Sequence, residues 1–252
     1  MNGLRTWIEI DVRALRHNVA EFRKLIGPKV SLMAVVKSNA YGHGLVPVAK
    51  ALLALRSFRG GGWFGVDSIV EALRLRREGI KNPILVLGYT LPERYHAAAA
   101  HGIALTISHF DGLAALARKN PRPAFHLKFD TGMHRQGFQE HEVPEVSRIL
   151  GVRRLAPEGV YSHLAAAEDS RASRSQYAAF RRCLAELAGA GIRPRLTHLA
   201  ATGGTLLRRA PGRNLVRIGL GLYGYLPNGR RNVVRPVMTW KTIIGEVKRV
   251  RK

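Results

Sequence analysis

The chain has 252 residues, with 41 Lys and Arg against 17 Asp and Glu and a formal net charge of +24. Apolar residues make up 46% and aromatic residues 7%, which excludes a disordered polycation, because such a chain cannot offset its ordering entropy by burial. One cysteine, Cys183, excludes an internal disulfide, no Cys/His cluster has zinc spacing, and no apolar run approaches the 18 or so residues of a membrane span. A cytoplasmic protein with one large or two small domains is the default reading.

Taken in chain order, Trp7 to Ile10 reads as a strand and Ala14 to Leu25 as a helix leading into the fold. Val30 to Lys37 (VSLMAVVK) is the first of eight β-rich apolar runs. The others are Trp63 to Val66, Ile84 to Gly88, Ala104 to Ser108, Ala124 to Asp130, Gly159 to Leu164, Arg195 to Ala200 and Leu215 to Tyr223. Consecutive rather than alternating apolar positions indicate parallel strands buried on both faces. Between them, apolar residues at helical spacing predict helices over Leu45 to Leu55, Ile69 to Arg77, Pro92 to Ala100, Phe110 to Ala117, Val143 to Leu150, Arg174 to Ala188 and Gly203 to Arg209. Gly79, Gly102 and Gly191 stand where helices end, and Asp67 and Ser108 stand where N-caps are expected. Cys183 lies on an apolar-periodic run and reads as a buried structural thiol.

Eight strand and helix units predict a (β/α)₈ TIM-like barrel, an α/β fold, in preference to a doubly wound sheet. Val237 to Arg251 (VMTWKTIIGEVKRVR) has Met238, Trp240, Thr242 and Ile244 on one side of a period-two pattern and reads as an antiparallel strand. It is expected to be left without its sheet, as the start of an incomplete β domain. The division is thus 1–29 leading in, 30–230 barrel and 231–252 the second domain.

The polar residues of the runs gather at their C-terminal ends: Lys37, with Ser38, Asn39 and Tyr41 after it; Lys128 and Asp130, with Arg135 beyond; His163; and Thr202. Arg217 lies within the eighth run. In a barrel these ends share the face that carries active sites. Lys37 ends an apolar strand, and an amine there is costly to leave charged and unpaired, which favours the neutral form that attacks a carbonyl. On position alone it reads equally as an imine-forming amine or as a lysine snorkelling at the rim. The Arg and Lys residues otherwise form no block of five or six, so a nucleic-acid partner is not the primary reading despite the charge.

Five segments in order, KSNAYGHG (Lys37 to Gly44), LKFDTGMHRQG (Leu127 to Gly137), YSHLAAAED (Tyr161 to Asp169), THLAATGG (Thr197 to Gly204) and VRIGLGLYG (Val216 to Gly224), together resemble the alanine racemase family. WIEIDVRALRHN and FGVDSIVEALRLRREGI look like it too. The resemblance implies a pyridoxal 5'-phosphate-dependent isomerase that interconverts L- and D-alanine, supplies D-alanine for peptidoglycan and works as a homodimer; the alternatives are a barrel that binds the cofactor without turnover, or a racemase or decarboxylase of another amino acid. Lys37 would hold the cofactor as a Schiff base and move the substrate α-proton. Tyr41, Thr202 and backbone N–H groups at Gly203, Gly219 and Leu220 would bind the phosphate. The family more often has Asn-Ser where this chain has Ala201 and Thr202.

Arg217 would face the pyridine nitrogen and keep it unprotonated, favouring return of the α-proton over transamination, with His163 beside it. Arg135 would touch the ring hydroxyl and the substrate carboxylate, Lys128 would support Arg135, and Leu87 would pack on the cofactor. The family's second base, a tyrosine from the β domain, has no counterpart here: Tyr223 and Tyr225 do not match it. The resemblance therefore implies a chain truncated within the β domain and impaired in racemisation.

Overall fold

A computed structural model describes residues 3–206, 214–227 and 233–250. The last residues of the predicted helix Gly203 to Arg209, and Arg251, lie outside them. Ten strands are present among the described residues: β1 Thr6–Ile10, β2 Ser31–Val35, β3 Trp63–Val66, β4 Ile84–Val86, β5 Ile103–Ile107, β6 Phe125–Lys128, β7 Gly159–Tyr161, β8 Leu196–His198, β9 Leu215–Ile218 and β10 Met238–Thr242. Strands β2 to β9 form one parallel sheet in the order β8-β7-β6-β5-β4-β3-β2-β9. The seam between β8 and β9 is stitched by Asn214 and Arg217. Asn214 N–H donates to Thr197 O (3.3 Å) and Arg217 N–H to Ala200 O (3.0 Å). The Asn214 side chain accepts from Thr197 N–H (2.9 Å) and donates to Arg195 O (2.6 Å). This curls the sheet into the expected barrel, with helices between successive strands.

The strands are shorter than their apolar runs, since the run ends turn away from the ladder at the mouth; Lys37, Asp130, His163 and Gly219 to Tyr223 lie past their strands. Alternation along each strand divides the core in two. Leu32, Ala34, Phe64, Val66, Ile84, Val86, Leu105, Leu127, Val160, Val216 and Ile218 belong to the large cluster shared with the helices. Met33, Trp63, Leu85, Ala104, Leu196 and Leu215 form a separate cluster inside the barrel. Higher on the inward positions of β5 to β9 come Thr106, His126, Lys128, Tyr161, His198 and Arg217, all buried. One side of the interior is thus apolar and the other a polar network.

Two N-caps fall one residue later than expected. Ser68 Oγ accepts from Glu71 N–H (3.3 Å) and His109 Nδ1 from Gly112 N–H (3.1 Å), while Asp67 is drawn to a lysine described below. The long helix Ser170–Gly189 starts earlier than its apolar pattern because Asp169 caps it through Arg171 and Ala172 N–H. Cys183 is buried in that helix, and burial pushes its thiol up to about 12.

The predicted strand Val237 to Arg251 is corrected in two respects. Only Met238–Thr242 is strand, and it is not without a sheet: it pairs antiparallel with β1, Ile8 opposite Trp240. The ladder stops where β1 begins, with Ile243 N–H donating to Arg5 O (3.1 Å), and residues 243–250 have no strand partner. The supposed apolar face is not core either. Met238 is half-buried, while Trp240 and Ile244 are 77% and 81% exposed.

Candidate functional site

All eleven predicted site residues, Lys37, Tyr41, Leu87, Lys128, Arg135, His163, Thr202, Gly203, Arg217, Gly219 and Leu220, line one cavity of about 650 Å³ at the C-terminal mouth of the barrel. They come from β2, β4, β6, β7, β8 and β9 or the segments that follow them, so closure of the sheet is what brings them together. Asp130 is not among the lining residues. Its carboxylate turns into its own loop and accepts from the N–H groups of Gly132, Met133, His134 and Arg135 at 2.9–3.2 Å. Burial alone would raise its pKa, but the backbone donors hold it below the usual carboxylate range. Asp130 thereby shapes the turn that carries Arg135.

Lys37 opens an unusual backbone segment. Ser38, Asn39, Ala40 and Tyr41 have φ of 54°, 54°, 55° and 53°, a left-handed turn of non-glycine residues that costs about 1–2 kcal/mol each. Local bonds hold it: Ala40 N–H donates to Val36 O (2.8 Å), and the Asn39 side chain accepts from Leu45 N–H (2.8 Å). Glu71 ties the turn to β3, since its carboxylate accepts from both Asn39 N–H (3.1 Å) and Asp67 N–H (2.8 Å). Lys37 Nζ lies 3.0 Å from Asp67 Oδ1, with the lysine side chain 35% exposed. The lysine is therefore paired, and the partner is the residue that the sequence offered only as a helix cap.

Cations converge on the cavity. Lys128, on the inward side of β6, has its ammonium pushed down to about 8, first by burial and then by Arg135 and Arg217. Its Nζ donates to Gln136 Oε1 (3.2 Å) and sits 5.7 Å from the Tyr161 ring centre. Arg217 is 3% exposed, and its guanidinium donates to Ser162 O (2.7 Å), Leu199 O (3.0 Å) and His198 O (3.1 Å) and stacks on Tyr161. His163 Nδ1 lies 3.2 Å from Arg217 Nη2. Burial, then the nearby Arg217, pushes that imidazole down to about 3, so it is neutral. Arg135 is exposed at the rim.

The opposite wall is built for close approach. A Cβ at Gly219 would stand 2.7 Å from Tyr41 Oη, and one at Gly203 2.8 Å from Ala167 Cβ. Thr202 opens the short helix Thr202–Leu206, and its Oγ1 accepts from Gly221 N–H (3.2 Å). Tyr41 packs against Tyr223, whose hydroxyl donates to Val35 O (3.1 Å). A mouth with several cations, a glycine-lined wall and few carboxylates can hold an anionic ligand against a primary amine. Asp67, Glu71, Gln136 and Tyr161 were missed by sequence reasoning. Asp67 and Tyr161 carried a usable signal, one at a strand's C-terminal end and the other at the same inward register as Lys128, its ladder partner.

Fold and site together define a (β/α)₈-barrel protein with a lysine-bearing, anion-accepting mouth. Residues 10–227 match the family model described as alanine racemase, N-terminal domain. The chain is 41% identical to an alanine racemase of Symbiobacterium thermophilum, over 98% of this chain and 67% of that one. It is 37% identical to alanine racemase 1 of Bacillus subtilis, covering 98% and 64%. An alanine racemase structure from Clostridium difficile 630 superposes with a TM-score of 0.89 at 29% identity, covering 99% of this chain and 67% of that one. The chain thus spans about two thirds of the length of the relatives it matches. It belongs to the alanine racemase family. No helix among the described residues is long and apolar enough to cross a membrane.

Proposed function

We propose that the cavity binds pyridoxal 5'-phosphate covalently on Lys37 and acts on alanine at the α-carbon, as the barrel part of a cytoplasmic, homodimeric alanine racemase that provides D-alanine for peptidoglycan. The observation that carries the reading is the convergence of Lys37, Lys128, Arg135 and Arg217 on one cavity whose other wall is a glycine-lined cradle. The residues present fit the cofactor: an amine for its aldehyde, and, for its phosphate, a wall where Gly203 and Gly219 present backbone beside Tyr41 and Thr202. When bound, pyridoxal phosphate supplies the aldehyde that links to an amine and a ring that withdraws electrons from the α-carbon.

The chain's own groups then have these tasks. Tyr41 and Thr202 hydroxyls, with N–H groups of Gly203, Gly219 and Leu220, bind phosphate. Arg217 stands at the ring nitrogen without giving it a proton, its guanidinium fixed by carbonyls of Ser162, His198 and Leu199. Neutral His163 orients beside it, Arg135 at the rim takes the substrate carboxylate, Lys128 supports Arg135 and Leu87 packs on the ring. Lys37 moves the α-proton on one face. The tyrosines inside the barrel are committed elsewhere, Tyr161 to Thr106 Oγ1 (2.8 Å) and Tyr223 to Val35 O. By the family resemblance, the acid or base for the other face is a tyrosine of the β domain that neither Tyr223 nor Tyr225 matches. The division 1–29, 30–230 and 231–252 is part of the same proposal, with β1 in the lead-in and β10 in the second domain, joined by their ladder.

Adding pyridoxal phosphate to the chain is expected to give an imine absorbance band that Lys37→Ala abolishes. Alanine α-hydrogen exchange with D₂O is expected to outpace racemisation by about 10²–10⁴, the typical worth of one acid–base group. No band, or a band that survives Lys37→Ala, rejects the assignment.

A further inference from the structure

The polar side of the barrel interior contains a line of side chains that the assignment above does not use. Arg217 Nη1 lies 2.5 Å from His198 Nδ1. His198 Nε2 lies 2.8 Å from His126 Nδ1. His126 Nε2 has no hydrogen-bond partner and faces Glu158 Oε2 at 3.8 Å. Both imidazoles are fully buried. Glu158, one residue before β7, is paired through its other oxygen with Arg195, one residue before β8 (2.6 Å). The line therefore runs through the barrel from the cavity at the C-terminal mouth to an ion pair at the N-terminal face.

The chemistry fixes the direction of every proton in it. A guanidinium only donates, so His198 Nδ1 must accept, and neutral His198 carries its proton on Nε2. That proton can go only to His126 Nδ1, so His126 carries its own on Nε2, pointing at the Glu158 carboxylate. The opposite register would set an N–H of His198 against an N–H of Arg217 and a lone pair of His126 against a carboxylate. Local packing maintains the spacing. A Cβ at Gly159 would stand 2.4 Å from His126 Nδ1, so only glycine next to Glu158 admits the ring. Tyr161 stacks on His198 at 4.6 Å, and Trp63 meets His126 edge-on at 5.6 Å. Burial lowers both imidazoles, outweighing at His126 the opposing pull of the Glu158 carboxylate and reinforced at His198 by Arg217, which favours the neutral forms.

We propose that Glu158, on the face of the barrel opposite the cavity, is a positioning residue for Arg217: its negative charge, 3.8 Å from His126 Nε2, favours the tautomer with the proton there and so reinforces the register in which His198 accepts from the guanidinium. The consequence for the cofactor rests on the reading that Arg217 stands at the ring nitrogen; the proton register itself does not.

The test is ¹⁵N NMR of the histidine-labelled 252-residue chain, with and without pyridoxal phosphate, in wild type, Glu158→Gln and Glu158→Leu. Wild type is expected to show His126 and His198 both as neutral Nε2–H tautomers. Both variants are expected to raise the Nδ1–H form of His126 about tenfold, a change of roughly one pK unit in the balance between its nitrogens, and to shift the absorbance maximum of the bound cofactor. A wild-type Nδ1–H on His198 overturns the proposal even if neither variant folds, and so do tautomers unchanged in Glu158→Gln. Failure of the cofactor reading is distinguishable, because it removes the absorbance band from wild type and leaves the tautomer measurement intact.

Discussion

Lys128 is the amine with the largest identifiable electrostatic burden, and replacing it should stabilise the chain. Its ammonium is taken from the ordinary 10.5 to about 8, a differential of about 3 kcal/mol between protonation states. The sign follows from where the protons sit. Below about pH 8 both folded and unfolded chains carry the proton, so the full cost of a buried cation is present. Between about 8 and 10.5 the folded chain has released it while the unfolded chain has not, and stability rises with pH. Lys128→Met keeps an unbranched stem of similar volume but loses the bond to Gln136 and the contact with Tyr161, together about 1–2 kcal/mol. The net expectation at pH 7 is a gain of about 1–2 kcal/mol, or roughly 2–8 °C in Tm for a chain of this size. Thermal melts of wild type and Lys128→Met without cofactor at pH 7 and pH 10 check it, and the difference should move toward wild type by about 2–3 kcal/mol as Lys128 deprotonates, leaving wild type level with or more stable than the variant at pH 10. A variant less stable at pH 7, or a gap that stays constant to pH 10, would refute the reasoning.

Gly219→Ala sets a methyl 2.7 Å from Tyr41 Oη, the free end of a side chain that can shift. Titration with pyridoxal phosphate should show affinity lowered about tenfold or more while the melting temperature moves by no more than about 2 °C. Asp169→Ala removes the cap of the helix Ser170–Gly189 and should cost about 0.5–2 kcal/mol in a denaturant melt, with the imine band unchanged because Asp169 does not line the cavity.

The barrel was legible because parallel strands covered on both sides read as unbroken apolar runs, and the site because the strand ends that share a mouth are the ends that carry polar residues. What stayed hidden depends on contacts that local pattern does not encode. The pairing of Ile8 with Trp240 joins residues more than two hundred positions apart, and neither strand has a buried face to announce it. The left-handed turn from Ser38 to Tyr41 runs against the preference of every residue in it and is specified by Asn39 and Glu71. The pairing of Lys37 with Asp67 is visible only once β2 and β3 are neighbours. Asp130 misled for the opposite reason, since a carboxylate at a strand end satisfies the site rule, yet four nearby N–H groups claim it first.

The net charge also changes meaning once the topology is known, because residues adjacent in sequence are dealt alternately to opposite faces. The seven described segments that enter β2 to β8 carry eight Lys and Arg against Glu78 and Glu158, whereas the seven that leave them carry Lys37 and Arg135 against Asp67, Asp130, Glu168 and Asp169. Charges that read as scattered along the chain are therefore sorted along the barrel axis. The sorting matches the helices, whose C-terminal ends, each equivalent to about half a negative charge, all point to the entering side. Seven such ends amount to roughly three to four charges, so most of the imbalance on that face is answered by the backbone itself. The mouth works differently. Its pull on an anion comes from Lys128 and Arg217, two buried cations on inward strand positions, joined at the rim by Lys37 and Arg135 beside carboxylates that outnumber those two. The chain could lose the eight Lys and Arg charges of the entering segments, a third of its +24, without weakening the cavity's hold on an anion.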